Sequence, residues 1–166
     1  MRIRGKWSWG LLAAGVVAGG LVLAWPPVEA GGQEVKDLQA ICQSPVGQSR
    51  RAMLVEQIRV MDTSASRKAL EDMASGPDDR LAVLCLAAIS RDAYAGSEAK
   101  LKATFEATGR SDLVRSAALT AWCVSKKRDG ARWADVRAYV DSKVGTTNQA
   151  LQDTRDALKA KIWKGE

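Results

Sequence analysis

Nine consecutive residues, Leu81-Ala-Val-Leu-Cys-Leu-Ala-Ala-Ile89, carry no polar side chain. Wound into a helix they are apolar on every side, and such a helix has to be covered by neighbours over most of its surface. The run therefore marks the centre of a buried core. That it winds into a helix follows from its company: Ala, Leu and Val dominate the apolar content and aromatics are 5% of the chain, a balance that favours helix over sheet. At 166 residues the chain holds one domain even after a leader of some 30 residues is set aside.

Periodicity and punctuation divide the rest into helices. Glu34 to Gln43 places Val35, Leu38, Ile41 and Cys42 on one face before Ser44-Pro45. Gly47 to Met61 is expected to bury Met53, Leu54, Ile58 and Met61. Thr63-Ser64 caps a helix carrying Ala69, Leu70, Met73 and Ala74 as far as Ser75-Gly76, and Pro77 is expected to open the central helix at its first turn, where a missing N–H costs nothing. Gly96-Ser97 begins a helix with Leu101, Ala103, Phe105 and Ala107. Ser111 caps another, with Leu113, Val114, Ala117, Ala118, Leu119, Ala121, Trp122 and Val124. Beyond Lys126 to Gly130 come a helix with Trp133, Val136, Tyr139 and Val140, and a last one from Thr147 to Lys164, opened by a Thr146 to Gln149 capping box.

These helices repeat. Laying Asp79 to Ile89 on Asp112 to Trp122 gives an offset of 33 residues, with apolar or small residues coinciding at Leu81/Val114, Leu84/Ala117, Cys85/Ala118, Leu86/Leu119, Ala88/Ala121 and Ile89/Trp122. A weaker copy lies 31 residues earlier, where Ala52, Met53, Leu54, Val55 and Ile58 fall under Val83, Leu84, Cys85, Leu86 and Ile89. Each copy is followed by a more amphipathic helix that ends at Gly76, Gly109 or Gly145. A period near 33, built of one buried and one half-exposed helix, is the mark of a helical solenoid. The stretch Asp112-Leu-Val-Arg-Ser-Ala-Ala-Leu119 resembles the first helix of a HEAT-type repeat, with a capping Asp, then Val-Arg, then Ala and Leu on the buried face. The resemblance spans Gly47 to Gly145 in three units. Asp79-Arg-Leu-Ala departs from the Val-Arg order, and the first copy has no Asp. What the resemblance implies is an interaction scaffold without fixed chemistry. The fold expected is all-α, either a short α-solenoid-like stack of antiparallel helix pairs or an irregular helical bundle, preceded by an N-terminal hydrophobic helix.

That N-terminal element follows Arg2, Arg4 and Lys6. From Trp7 to Trp25 there are 19 residues without a charge, a helix of about 28 Å and so long enough to span a bilayer. The basic start would stay in the cytoplasm and Trp7, Trp9 and Trp25 lie at the interfaces, which puts the body, residues 31–166, on the extracytoplasmic side. Residues 1–30 admit two readings. Pro26-Pro27 followed by Val28-Glu29-Ala30 fits a signal peptide cut before Gly31. The length of the run, its Trp belt and the Gly15 to Gly19 spacing fit a retained anchor whose small residues let two helices approach closely.

The chemistry available to the body is narrow. Histidine is absent, and with it the commonest general base and transition-metal ligand. No CxxC or ligand cluster suggests a metal, and Asp78, Asp79 and Asp112 stand where helix starts want carboxylates. Cys42, Cys85 and Cys123 are odd in number; the repeat sets Cys123 five residues, about 7 Å, beyond the level of Cys85 on a parallel neighbour, which argues against that pair and leaves Cys42 with Cys85 open. Removing Arg2, Arg4, Lys6 and Glu29 reduces the 25 basic and 19 acidic residues to 22 and 18, a small excess that reads as a solvated basic face. The partner-binding candidates are Trp122, Lys126, Lys127, Arg128, Arg132 and Trp133, two indoles flanking a basic turn, which form a hot spot if exposed. The expectation is a non-catalytic exported interaction or scaffold module, without cofactor, metal or nucleic acid, that meets an envelope or membrane protein and serves as an accessory subunit of a membrane complex if the leader is retained. The alternative is a small exported ligand-binding or enzymatic domain with a site assembled from Trp, Arg, Asp and Cys.

Overall fold

The computed structural model describes residues 30–92, 96–144 and 148–165. Among them are eight helices: α1 (Ala30–Gln43), α2 (Gln48–Val60), α3 (Ser64–Ser75), α4 (Asp79–Arg91), α5 (Ser97–Glu106), α6 (Asp112–Arg128), α7 (Trp133–Val144) and α8 (Gln149–Ile162). The domain is all-α, with the helices packed as a bundle or stack. None of the described helices is long and apolar enough to cross a membrane. The apolar segment 7–25, with Gly15 and Gly19, lies outside the described residues. The bond between Ala30 and Gly31 falls in the first turn of α1, which begins four residues before the Glu34 start expected from the sequence.

Local chemistry fixes four of the eight helix starts. Thr63 accepts a hydrogen bond from the Ser66 amide while Ser66 Oγ accepts from the Thr63 amide, a reciprocal cap that satisfies two free donors. Asp78 caps α4 by accepting from the Arg80 and Leu81 amides. Pro77 therefore precedes the cap and is not in the helix: the carboxylate next to it makes the better terminus. Ser111 caps α6. For α8 the cap is Asn148, which accepts from the Leu151 amide; Thr146 lies outside the described residues.

Four helices form a row. Arg51, early in α2, reaches Asp78 before α4, and Arg59, late in α2, reaches Asp92 after it, so α2 and α4 run parallel. Arg128, closing α6, donates to the carbonyls of Ser90 and Arg91, which close α4. Asn148, opening α8, donates to Asp112, opening α6, while Trp163 past the end of α8 donates to the carbonyl of Ala131 past the end of α6. The even-numbered helices thus lie side by side and parallel. The cross-links between successive units bridge 32 to 38 residues, as in Gln48 to Arg80, Arg59 to Asp92, Arg110 to Gly76, Tyr139 to Glu106, and Arg128 to Ser90.

The odd-numbered helices cover one side of this row. Here the pairing differs in phase from the sequence expectation: among the odd-numbered helices α4 packs chiefly on α3, the helix before it, and far less on α5, the helix after it, while α6 packs chiefly on α5. The hairpins are therefore α3 with α4 and α5 with α6. Gly96, with φ of +96°, stands immediately before α5 in the connection between the hairpins. The core runs along the seam between the two layers, through Ile58, Leu70, Met73, Cys85, Leu86, Ile89, Leu101, Phe105, Ala118 and Leu119.

Met53 was expected inside and is exposed, with Val55 buried in its place. The central run 81–89 is covered over most of its surface, as expected, with Ala87 exposed and Val83 and Leu84 half-buried. The row is covered on one side only, so each even-numbered helix keeps a stripe facing out. Leu113 and Val124 of α6 and Ala103 of α5, all counted among apolar helix positions, are likewise exposed.

Candidate protein-binding face

The indoles at the basic turn are buried. Trp122 is 3% exposed and Trp133 7%, and they sit in two different aromatic clusters. Trp122 packs against Phe105 and Tyr139 with ring centroids 5.7 and 5.2 Å away, whereas Trp133 packs at 5.0 Å on Trp163. The cations of the turn have intramolecular work. Lys126 pairs with Glu98 at 2.8 Å, Lys127 stands 5.5 Å over the Trp163 ring, Arg128 closes the ends of α4 and α6, and the exposed Arg132 pairs with Asp135. The six residues are neighbours along the chain; Trp122 and Lys126 share contacts through Glu98, while Trp133 and Lys127 meet at Trp163.

The Trp122 cluster carries the largest carboxylate shift. Glu98 accepts from Lys126, Lys102 and the Trp122 indole, and these bonds, that from Lys126 foremost, hold its carboxyl down at about 2 against partial desolvation. Lys102 also lies 4.4 Å over the Tyr139 ring, whose hydroxyl donates to Glu106; that bond raises the phenol to about 12. Because the folded value of Glu98 is depressed below its ordinary 4.5, its stabilisation is present above that pH and is lost as pH falls towards 2. Acid titration of unfolding free energy should show a loss across this window that Glu98→Gln diminishes; equal slopes for both proteins would contradict the assignment.

The three cysteines are buried free thiols. Burial pushes Cys85 and Cys123 up to about 12, with Cys42 adding to the shift at Cys85; burial also raises Cys42, partly offset by the positive charge of Arg51. Neutral buried thiols are inert. Intact mass after iodoacetamide at mildly alkaline pH should show no adduct on the folded protein and three after unfolding in urea. Rapid labelling of the folded chain would mean that the core opens. Among the described residues no group of three or more Cys, Asp and Glu is placed to hold a metal ion.

The uncovered surface lies elsewhere, on the outward side of the row. It is built from three helical stripes at spacing i, i+4, i+7, i+11: Ser49, Met53, Glu56 and Val60 on α2; Arg80, Leu84, Ala87 and Arg91 on α4; Leu113, Ala117, Thr120 and Val124 on α6. The repeat alignment matches Met53 with Leu84 and Ala117, and Val60 with Arg91 and Val124. Met53, Val60, Leu113 and Val124, at 67, 61, 56 and 40% exposure, are the exposed large hydrophobic residues of the described chain, and all four stand on this one face. Between α2 and α4 it deepens into an open groove of about 530 Å³ lined by Ala52, Met53, Val60, Leu84, Ala87 and Ala88, with Glu56 and Arg91 joined at 3.2 Å at one end. The sequence analysis placed six of these positions, Met53, Leu84, Ala87, Leu113, Ala117 and Val124, on apolar helix faces. The signal that could have separated them was in the same alignment, where Leu84 matches Ala117 and Arg91 matches Val124, a stripe less uniform than the Cys85/Ala118 and Leu86/Leu119 positions beside it.

No protein-family model matches the chain, and no curated protein or solved structure is significantly similar to it.

Proposed function

We propose that this chain is a non-catalytic interaction module, a short HEAT-like stack of antiparallel helix pairs held on the extracytoplasmic side of a membrane by, or after release from, its N-terminal apolar segment. The observation that carries this reading is the single-sided row: three parallel helices present their apolar stripes on one continuous face, and scattered single hydrophobics would not fall on equivalent positions of successive units. A stack of repeats whose buried side is completed by its own second layer leaves the other side for binding. The Asp112 to Leu119 motif supports the HEAT likeness in a further way. Arg115 of that motif is buried and donates to the carbonyl of Phe105 at 3.0 Å, tying the end of α5 to the start of α6. The arginine thus holds one hairpin together and does not face a ligand.

The basic start, the 19-residue uncharged run and its Trp belt support export, and an accessory role in a membrane complex follows if that segment stays in the bilayer. The chain purified from its native membranes with a mild detergent is expected to carry a stoichiometric protein partner. Migration as a lone chain at its own mass would defeat the reading. The N-terminal sequence of the same sample separates the soluble form, starting at Gly31, from the anchored one.

A further inference from the structure

We infer that the groove between α2 and α4 receives an amphipathic helix of another protein whose polar flanks are acidic. The inference rests on the interaction reading above and names the occupant of its face. The groove floor is apolar along Met53, Leu84, Ala87 and Val60, and Met53 and Val60 stand seven residues apart on α2, about 10 Å. Two helical turns of a partner fit that length, with anchors at i, i+3 or i+4, and i+7.

The rim decides the sign. Of the twelve stripe positions three are charged: Arg80, Arg91 and Glu56. Glu56 is already bound by Arg59 through two contacts and by Arg91, and these bonds hold its carboxyl below the ordinary carboxylate range. Its charge is thus matched by arginines of the same chain. Arg80 is exposed, forms no ion pair among the described residues, and stands one turn from Leu84 on the same stripe. Arg59 and Arg91 are matched by Glu56 and Asp92, so the one uncompensated charge among the stripe positions is Arg80, and an apolar helix that carries a carboxylate at that end complements both properties.

Two other occupants fit worse. A second copy would bring its own Arg80 and Arg91 against these. The chain's own segment 7–25 is uncharged on every side and led by Arg2, Arg4 and Lys6, so it would leave half its apolar surface uncovered and add like charge to the rim.

The test is photo-cross-linking in the native cells with the full chain, placing p-benzoylphenylalanine at Met53 or Ala87 in the groove, and at Ala103 on the exposed side of α5 as the control. Cross-linked peptides are identified by mass spectrometry. The expected result is an adduct from Met53 and Ala87 to a peptide of another protein with helical apolar spacing and flanking Asp or Glu. Arg80→Glu, which touches no core residue, should lower its yield about 10-fold. Adducts to this chain's own body, to its segment 7–25, to lipid or to a basic peptide overturn the proposal, as does an adduct indifferent to Arg80→Glu. Adducts at Ala103 alone overturn the groove while sparing the interaction reading; none at any position sinks both.

Discussion

Replacing Trp163 by alanine is expected to cost about 3–5 kcal/mol of folding stability, the range for deleting a buried tryptophan. Trp163 is the largest fully buried side chain of the described residues, yet it stands one residue beyond α8. Its environment explains the weight. The ring packs on Trp133 at the start of α7, Lys127 covers its face, and its indole N–H donates to the carbonyl of Ala131 at 3.1 Å. One residue therefore fastens the end of α8 to the turn between α6 and α7. Helix α7 has few other attachments: it packs on α8, and Tyr139 ties it to α5 through Glu106 and the Phe105 ring. Urea unfolding followed by tryptophan fluorescence checks the prediction. Trp163→Phe should lose only the indole hydrogen bond, about 1 kcal/mol, and retain the stack on Trp133. A cost below 1 kcal/mol for the alanine variant would mean that α7 and α8 are not part of the cooperative unit.

The clusters that fasten the far end were the least legible part of the sequence. Period and punctuation located all eight helices, because caps such as Thr63 and Ser111 and stops such as Ser44-Pro45 act within a few residues and owe nothing to the fold. The same local logic misplaced Pro77, since a proline at a first turn and a proline before a capping Asp look alike until the Asp78 carboxylate is seen bonded to the Arg80 and Leu81 amides. Rotation about the helix axis was harder. In α2 the apolar residues Met53, Leu54, Val55, Ile58 and Val60 occur on more than half the circumference, and spacing alone does not say which arc faces the second layer. Only the α1, α3 and α4 neighbours settle it, by burying Leu54, Val55 and Ile58 and leaving Met53 and Val60 outside. The candidate site failed to form for a related reason. Trp122 and Trp133 flank a basic turn in sequence, but eleven residues of helix and turn carry them to different seams, and Glu98 and Trp163, which engage the basic residues, come from α5 and the chain end, distances that no local pattern reports. Composition gave no hint of the phase of the hairpins, because α3 and α5 are each flanked by two apolar helices and either could be the partner.

Leu86→Ala and Leu113→Ala delete the same atoms from neighbouring helices of one row, and their costs should differ by most of the larger one. Leu86 is fully buried in α4, the helix that packs against α2, α3 and α6 together, so its truncation leaves a cavity that three helices would have to move to fill; about 3–5 kcal/mol is expected. Leu113 stands on the outward stripe at 56% exposure, and its truncation should fall within about 0.5 kcal/mol. Denaturant midpoints measure both, provided the slope of the transition is unchanged between variants. The contrast reads out which side of the row is covered in solution. Should Leu113→Ala cost more than about 2 kcal/mol, something shields the stripe in the isolated protein, and a second copy on that face would betray itself by a midpoint that rises with protein concentration. A small, concentration-independent cost leaves the stripe bare in the free chain, as a surface kept for a partner must be, because apolar area already buried in the free protein contributes nothing on binding.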